Sequence, residues 1–229
     1  MRFSVSIDCC SWNYLFEHQL DLATALPRER FALTITREVE IEIAAIPDTG
    51  KDGSDKLSLK AYIANSIASN QIKTTSIFGF ASLEPDGSLS LVQVYGGFDQ
   101  GAWQSDADRD WYALKEVQGQ LVGKKIRPSG LAGNQADAAV AVRSFDSIVL
   151  TNECKTKSGP IKLAAEKKGK VVYLKDFELS GISLADYVSQ AASSERNSGT
   201  LPAHIPPATA TTSSATCVGS DSRNKEPDS

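Results

Sequence analysis

The chain has 229 residues, 41% of them hydrophobic, which is enough to bury one substantial core. Its net charge of −4 and pI of about 5.3 exclude a protein that coats nucleic acid mainly by neutralising phosphates, although they leave room for an enzyme acting on phosphodiesters. No apolar run approaches the roughly 18 residues that span a bilayer, and the polar start Met1-Arg2-Phe3-Ser4 leads into a strand without a signal-like apolar segment. An intracellular, cytoplasmic protein with no membrane partner is therefore expected. Cys9, Cys10, Cys154 and Cys217 show no C-x-x-C spacing, which supports neither a disulfide scaffold nor a zinc site.

Strands and helices alternate up to about residue 192, the pattern of an α/β protein with a mostly parallel sheet covered by helices. A first strand is predicted over 3–8. Trp12, Leu15, Phe16, Leu20 and Ala23 then recur at helical spacing and stop before Pro27. Phe31, Leu33 and Ile35 alternate as a second strand, and Val39, Ile43 and Ile46 mark a helix that contains Glu42. After a polar loop over 48–56, Leu59, Tyr62, Ile63 and Ile67 give another amphipathic helix. The alternation lapses between about 74 and 133. There, Thr75 to Leu83 and Ser88 to Tyr95 flank Pro85-Asp86-Gly87 and predict a β-hairpin, with a Gly-rich loop and a helix over about 107–118 to follow. Asp137, Val140, Ala141 and Phe145 share a helical face that leads into a strand over 148–151. Ser158 is expected to cap a helix with Pro160 in its first turn and Gly169 at its end. Val171 to Leu174 forms the closing strand, and Ser183 caps a last helix over about 184–192. Residues 193–229 are dominated by Ser, Thr, Ala and Pro and are expected to be a disordered tail, because they carry too little apolar surface to offset their ordering entropy.

Four acidic residues stand where these segments end or turn over: Asp8, Glu42, Asp137 and Glu153. Carboxylates gathered from distant strand and helix ends converge at the mouth of an α/β sheet, and four of them repel one another unless a divalent cation intervenes. Hard cations such as Mg²⁺ or Mn²⁺ suit oxygen ligands, generate hydroxide from bound water and clamp phosphate oxygens. Competing chemistries fit less well. The histidines, His18 and His204, have no catalytic partner in sequence, so a Ser/His/Asp triad is not expected. The run Gly119 to Lys125 is one residue short between its glycines for a phosphate loop and lacks the following Ser or Thr. Cys9 and Cys10 are most simply small residues beside the site. Between 155 and 175, seven lysines face Glu166 alone, which describes either a solvated helix face or a track leading a polyanion to the carboxylates.

These segments resemble the PIN-domain ribonucleases, a family that includes toxin components of bacterial toxin–antitoxin pairs. Ser6-Ile7-Asp8 with Leu15-Phe16 is similar to the family's opening strand and first metal-binding aspartate. Thr36-x-x-Val39-x-x-Glu42-Ile43 matches its second acidic motif, and Asn134-Gln-Ala-Asp137-Ala-Ala-Val-Ala-Val its third. Val149-Leu150-Thr151-Asn152-Glu153 is similar to its Thr-Asn-Asp strand end, and Gly169-Lys-Val-Val-Tyr-Leu to its closing strand. Glu153 stands where the family usually has aspartate, and Cys9-Cys10 where it often has Thr followed by Ser or Asn, so the hydroxyl or amide that would hold the first aspartate is missing.

The resemblance implies a three-layer α/β/α sandwich over residues 1–192, with an insertion over about 74–133. It also implies a Mg²⁺- or Mn²⁺-dependent endoribonuclease in which Asp8, Glu42, Asp137 and Glu153 hold the metal and carry catalysis, supported through hydrogen bonds by Thr151 and Asn152. An RNA substrate, an antitoxin partner and a homodimer belong to the same expectation. The alternative is a PIN-like module that binds RNA or a protein without cutting.

Overall fold

The computed structural model describes residues 2–78, 94–97, 101–121 and 125–193. All of them fall within one compact unit spanning Met1–Asn197, and the serine- and threonine-rich tail expected from the composition lies outside the described residues. Five strands make an entirely parallel sheet: β1 (Phe3–Ile7), β2 (Phe31–Thr36), β3 (Lys73–Thr75), β6 (Ile148–Thr151) and β7 (Val171–Tyr173), in the order β3-β2-β1-β6-β7. Val5, Ile7 and all of β6 are buried, as expected where helices cover both faces of a parallel sheet. The arrangement is that of a three-layer α/β/α sandwich. Among the described residues, no helix is long and apolar enough to cross a membrane.

Helices α3 (Arg37–Ala44), α5 (Asp106–Ala113) and α8 (Pro160–Glu166) pack against α7 (Gln135–Arg143), which crosses β1, β2 and β6. On other parts of the surface, α4 (Leu57–Asn70) packs against α1 (Ser11–Glu17) and α2 (Leu22–Ala25), and α10 (Leu184–Ser193) against β6 and β7. Buried polar side chains fix the register between strands. Ser6 in β1 hydrogen-bonds the hydroxyls of Thr34 in β2, at 3.0 Å, and of Ser147 just before β6, at 3.3 Å.

Several expected boundaries moved, each for a local reason. The helix expected from Trp12 to Ala23 is two helices, because Gln19 adopts a left-handed φ of 49° and the Asp21 side chain caps a new start by accepting from the Ala23 N–H. The helix expected over 107–118 also divides: Leu114 is extended and separates α5 from α6 (Lys115–Leu121). Gly159, not Ser158, is the residue before α8, with Pro160 at the first helical position as expected. The closing strand stops at Tyr173, and α9 (Leu174–Glu178), which the sequence did not suggest, follows directly. Ser183 does cap α10, its hydroxyl accepting from the Asp186 N–H and donating to the Asp186 carboxylate.

The Pro85-Asp86-Gly87 turn and most of its flanking segments lie outside the described residues. Where their outer ends are described, β4 (Ile77–Phe78) and β5 (Tyr95–Gly96) pair in parallel. Those ends therefore do not form the antiparallel ladder of a hairpin.

Candidate functional site

The chain proceeds from β1 to β2 on one side of the sheet, while β6 lies on the other side of β1. The carboxyl ends of β1 and β6 thus open the crevice where α/β sheets of this topology bind ligands. Asp8 follows β1 directly, and Thr151, Asn152 and Glu153 close or follow β6. Two contacts weld these strand ends together: the Asp8 N–H donates to the Leu150 carbonyl at 3.0 Å, and the Ser11 hydroxyl donates to the same oxygen at 2.8 Å. Glu42 enters from α3, whose start is capped by Thr36 through the Val39 N–H. Asp137 enters from the first turn of α7, near the positive end of the helix.

All four carboxylates are largely withdrawn from solvent: Asp8 is 2% exposed and Asp137 9%, while the side chains of Glu42 and Glu153 are 11% and 8% exposed. Asp8 is the most firmly held. Its carboxylate accepts from the Cys9 N–H at 2.7 Å, from the Thr151 hydroxyl at 2.7 Å and from the Cys10 thiol at 2.9 Å. The Cys10 thiol thus supplies one of the three hydrogen bonds to this carboxylate. Burial, reinforced by the Asp137 and Glu153 charges and opposed by the Cys10 and Thr151 hydrogen bonds, pushes the Asp8 carboxyl up to about 6. Glu42 is also raised, by burial first and Asp137 next among the raising causes, against the pull of Arg127. The Cys9 and Cys10 thiols are driven well above the ordinary cysteine range by burial and the neighbouring carboxylates, so neither is a ready nucleophile.

The carboxylates differ in how their charge is met. Arg127 pairs with Glu42, and Lys157 pairs with Glu153. Asp137 forms no hydrogen bond or ion pair among the described residues, although it acts electrostatically on Asp8, Glu42 and Lys157. Among the described residues, four acidic side chains meet these two paired cations, a formal shortfall of two positive charges when all four are ionised. As they stand, no three His, Cys, Asp or Glu side chains among the described residues are gathered into a ready-made metal group.

The Thr151 hydroxyl donates to Asp8 and accepts from the Glu153 N–H at 3.1 Å. Asn152 contributes differently: its backbone N–H reaches the Cys10 sulfur, while its side-chain oxygen is buried without a hydrogen-bond partner. Four lysines of the 155–175 run are paired with acids, Lys155 with Asp176, Lys157 with Glu153, Lys162 with Glu166 and Lys167 with Glu116. That favours the solvated-face reading of the run over a continuous polyanion track. His18 stacks on Tyr14 at the end of α1 and has no part in the site.

Sequence reasoning missed Ser11, Arg127 and the sulfur contact of Cys10. A serine three residues after the strand-end aspartate gave a signal for the first, but Arg127 is 85 residues from Glu42 and gave none. The sequence matches no family model, and neither curated proteins nor solved structures include a significant match.

Proposed function

We propose that the chain is a PIN-like, Mg²⁺- or Mn²⁺-dependent endoribonuclease, with Asp8, Glu42, Asp137 and Glu153 as its metal-holding and catalytic quartet. The observation that carries this reading is Asp137, buried beside Asp8 and Glu42 and without a hydrogen bond or ion pair to its carboxylate among the described residues, where two cations face four acids. Uncompensated buried carboxylates are costly, and a divalent cation has the charge and the oxygen preference to offset them. When bound, such an ion lowers the pKa of a coordinated water and offsets charge on a phosphodiester. The protein's own part is positional. Thr151, Cys10 and the Cys9 N–H hold Asp8 in one orientation, and the packing of α7 against β1, β2 and β6 fixes the turn that carries Asp137. Arg127 and Lys157, both about half-exposed, are the cations available to meet phosphate oxygens.

The test is cleavage of a mixed-sequence RNA in Mn²⁺, in Mg²⁺ and in chelator, beside Asp137→Asn. Metal-dependent cutting that vanishes in the variant is expected, together with a metal-induced rise in melting temperature that the variant lacks. Cutting that survives both chelator and the substitution would sink the reading. The engagement of Glu42 and Glu153 by Arg127 and Lys157 favours a second reading, a PIN-like module that binds RNA or protein without cutting; a metal-induced thermal shift without cleavage would select it. An antitoxin partner and a homodimer accompany the first reading, and sedimentation of the purified chain tests the latter.

A further inference from the structure

Arg127 meets Glu42 across 85 residues of sequence, from a loop whose backbone is closely tied. The Arg127 N–H donates to the Leu131 carbonyl at 2.8 Å, and the Arg127 carbonyl accepts from the Gly130 N–H at 2.9 Å. Ile126 and Ala132 bridge in antiparallel fashion, and the Gly133 N–H reaches the Lys125 carbonyl at 3.1 Å. Gly130 turns the chain with a φ of 83°, in the left-handed region that disfavours a side chain. Leu131 is buried and anchors the loop. The Ala132 N–H then donates to the Gln135 side chain at 3.0 Å, which ties the loop to the first turn of α7. The backbone of residue 127 is thus pinned to the turn that supplies Asp137, while its side chain meets Glu42.

The ion pair itself is lopsided. Glu42 has 11% of its side chain exposed and Arg127 has 42%. One terminal nitrogen of the guanidinium meets one carboxylate oxygen, and among the described residues its other donors meet no acceptor. The Cys9 thiol also hydrogen-bonds Glu42, and the Asp137 charge bears on the same carboxylate. Glu42 therefore keeps a partner when Arg127 leaves. Lys157 differs, because it stands four residues from Glu153 and the two pair within one local stretch. The Arg127 contact is not a by-product of chain proximity. A guanidinium and a divalent cation drawn to one carboxylate repel each other at a few ångströms, and Mg²⁺ or Mn²⁺ takes carboxylate oxygens directly. The planar guanidinium also matches the paired oxygens of a phosphate.

We propose that Arg127 and the divalent cation are alternative partners of Glu42, so that the guanidinium released from Glu42 turns to a phosphate oxygen of the substrate. This rests on the metal-holding reading of the quartet and adds to it a coupling between loading of the site and capture of the substrate. Removing Arg127 accordingly has two effects of opposite sign, tighter metal and weaker substrate. A purely structural salt bridge gives a different pattern, since its loss loosens α3 and weakens the metal site as well.

The experiment is calorimetric titration of the full chain with Mn²⁺, without RNA, in the parent, Arg127→Ala, Glu42→Gln and the double variant. Arg127→Ala is expected to lower the Mn²⁺ Kd about threefold to tenfold. With Glu42→Gln already present, the same change should alter Kd by less than about twofold. A Kd that is unchanged or higher in Arg127→Ala overturns the proposal. So does a gain that persists in the double variant, which makes Arg127 a diffuse charge and not a competitor for Glu42. Because Glu42→Gln alone can remove too much metal affinity to titrate, side-chain NMR of the chain labelled with ¹⁵N-arginine gives a second measurement. The guanidinium resonance that disappears in Arg127→Lys is expected to exchange faster with water at saturating Mg²⁺, and unchanged exchange overturns the proposal. Cleavage of RNA at saturating Mn²⁺ reads the other half: Arg127→Ala should raise KM about tenfold and alter kcat less. A KM unchanged within about twofold removes the phosphate role and with it the coupling. Mn²⁺ binding that Asp137→Asn abolishes and Arg127→Ala leaves unaltered keeps the metal-holding reading and overturns this proposal, whereas a parent that binds no Mn²⁺ ends both. Arg127-sensitive Mn²⁺ binding without cleavage keeps the competition and removes the nuclease.

Discussion

The crevice at the ends of β1 and β6 and the cavity of about 640 Å³ beside α5, lined by Glu38 of α3, Gln135 of α7, Tyr112 and Trp103, share two helices, yet they are built by different means. The crevice rests on a parallel sheet buried on both faces, with Asp8 locked by three donors and the strand ends joined through Leu150. The cavity rests on two-residue strands, short helices and, among the described residues, the largely buried Asp108–Arg143 ion pair. The difference teaches where the proposed function is anchored. Chemistry needs carboxylates held to a fraction of an ångström, a frame that the buried sheet supplies and the short elements around the cavity do not.

The strongest way to break that contrast is to empty the sheet. Leu150 is fully buried in β6, and its carbonyl is the oxygen that both Asp8 and Ser11 address. Leu150→Ala should cost about 2–5 kcal/mol by removing buried methyl groups and leaving a cavity. Chemical denaturation measures it, and a cost below about 1 kcal/mol would mean that β6 is not the rigid base of the crevice. The next effect is on the cavity side. Asp108 is 2% exposed, joined to Ser105 in a capping box and paired with Arg143 at the end of α7. Arg143→Ala strands that carboxylate in the interior and should cost about 3 kcal/mol. If it costs as little as an exposed ion pair does, about 0–1 kcal/mol, then α5 is not tied to α7 in the way described.

These two regions also differ in how much of them the sequence disclosed. Strands β1 and β2 and helices α3, α4 and α7 follow period-two and period-3.6 patterns, so their order along the chain and the strand-end position of Asp8 could be read directly, as could the entry of Glu42 and Asp137 from helices, whereas β3 and α9 were not read. What could not be read depends on through-space partners. The Arg127–Glu42 and Lys157–Glu153 pairs, and the thiol hydrogen bond of Cys10 to Asp8, have no sequence signature because their geometry is set by the finished fold. The break at Gln19 was hidden for another reason: a left-handed residue that is not glycine leaves the apolar periodicity intact while ending the helix. Between 74 and 133 the elements are too short for periodicity to accumulate.

A smaller effect, of opposite sign, sharpens the assignment of Asp8. Its folded-state carboxyl titrates near 6, against 3.8 for the free side chain, so the folded protein binds more protons than the unfolded chain between those values. The Asp8 contribution to stability is therefore most favourable below pH 4, falls as pH rises from about 4 to 6 and remains lower above, by something on the order of 3 kcal/mol. Asp8→Asn carries no such charge. In chelator at neutral pH it should be more stable than the parent by about 1–2 kcal/mol, the remainder being offset by imperfect hydrogen bonds to Cys10 and Thr151. Its stability should also be flatter from pH 4 to 6. A variant that is destabilised at neutral pH and keeps the parent's pH dependence would show that the Asp8 charge is not under strain.

The smallest stability effect carries the most discriminating expectation. Trp103 is 81% exposed and its indole touches the Phe78 ring without entering the core, so Trp103→Ala should change folding stability by no more than about 0.5 kcal/mol. A ring that rests on the surface adds little to the fold, whereas a core ring carries it. Thermal unfolding of Trp103→Ala beside Trp111→Ala makes the comparison within one segment. Trp111 is buried, its indole N–H donating to the Ala138 carbonyl of α7 at 3.2 Å, and truncating it should cost about 3–5 kcal/mol. Should the two substitutions prove equally damaging, Trp103 is a structural residue of the cavity wall, and the short elements there carry as much of the fold as the core does.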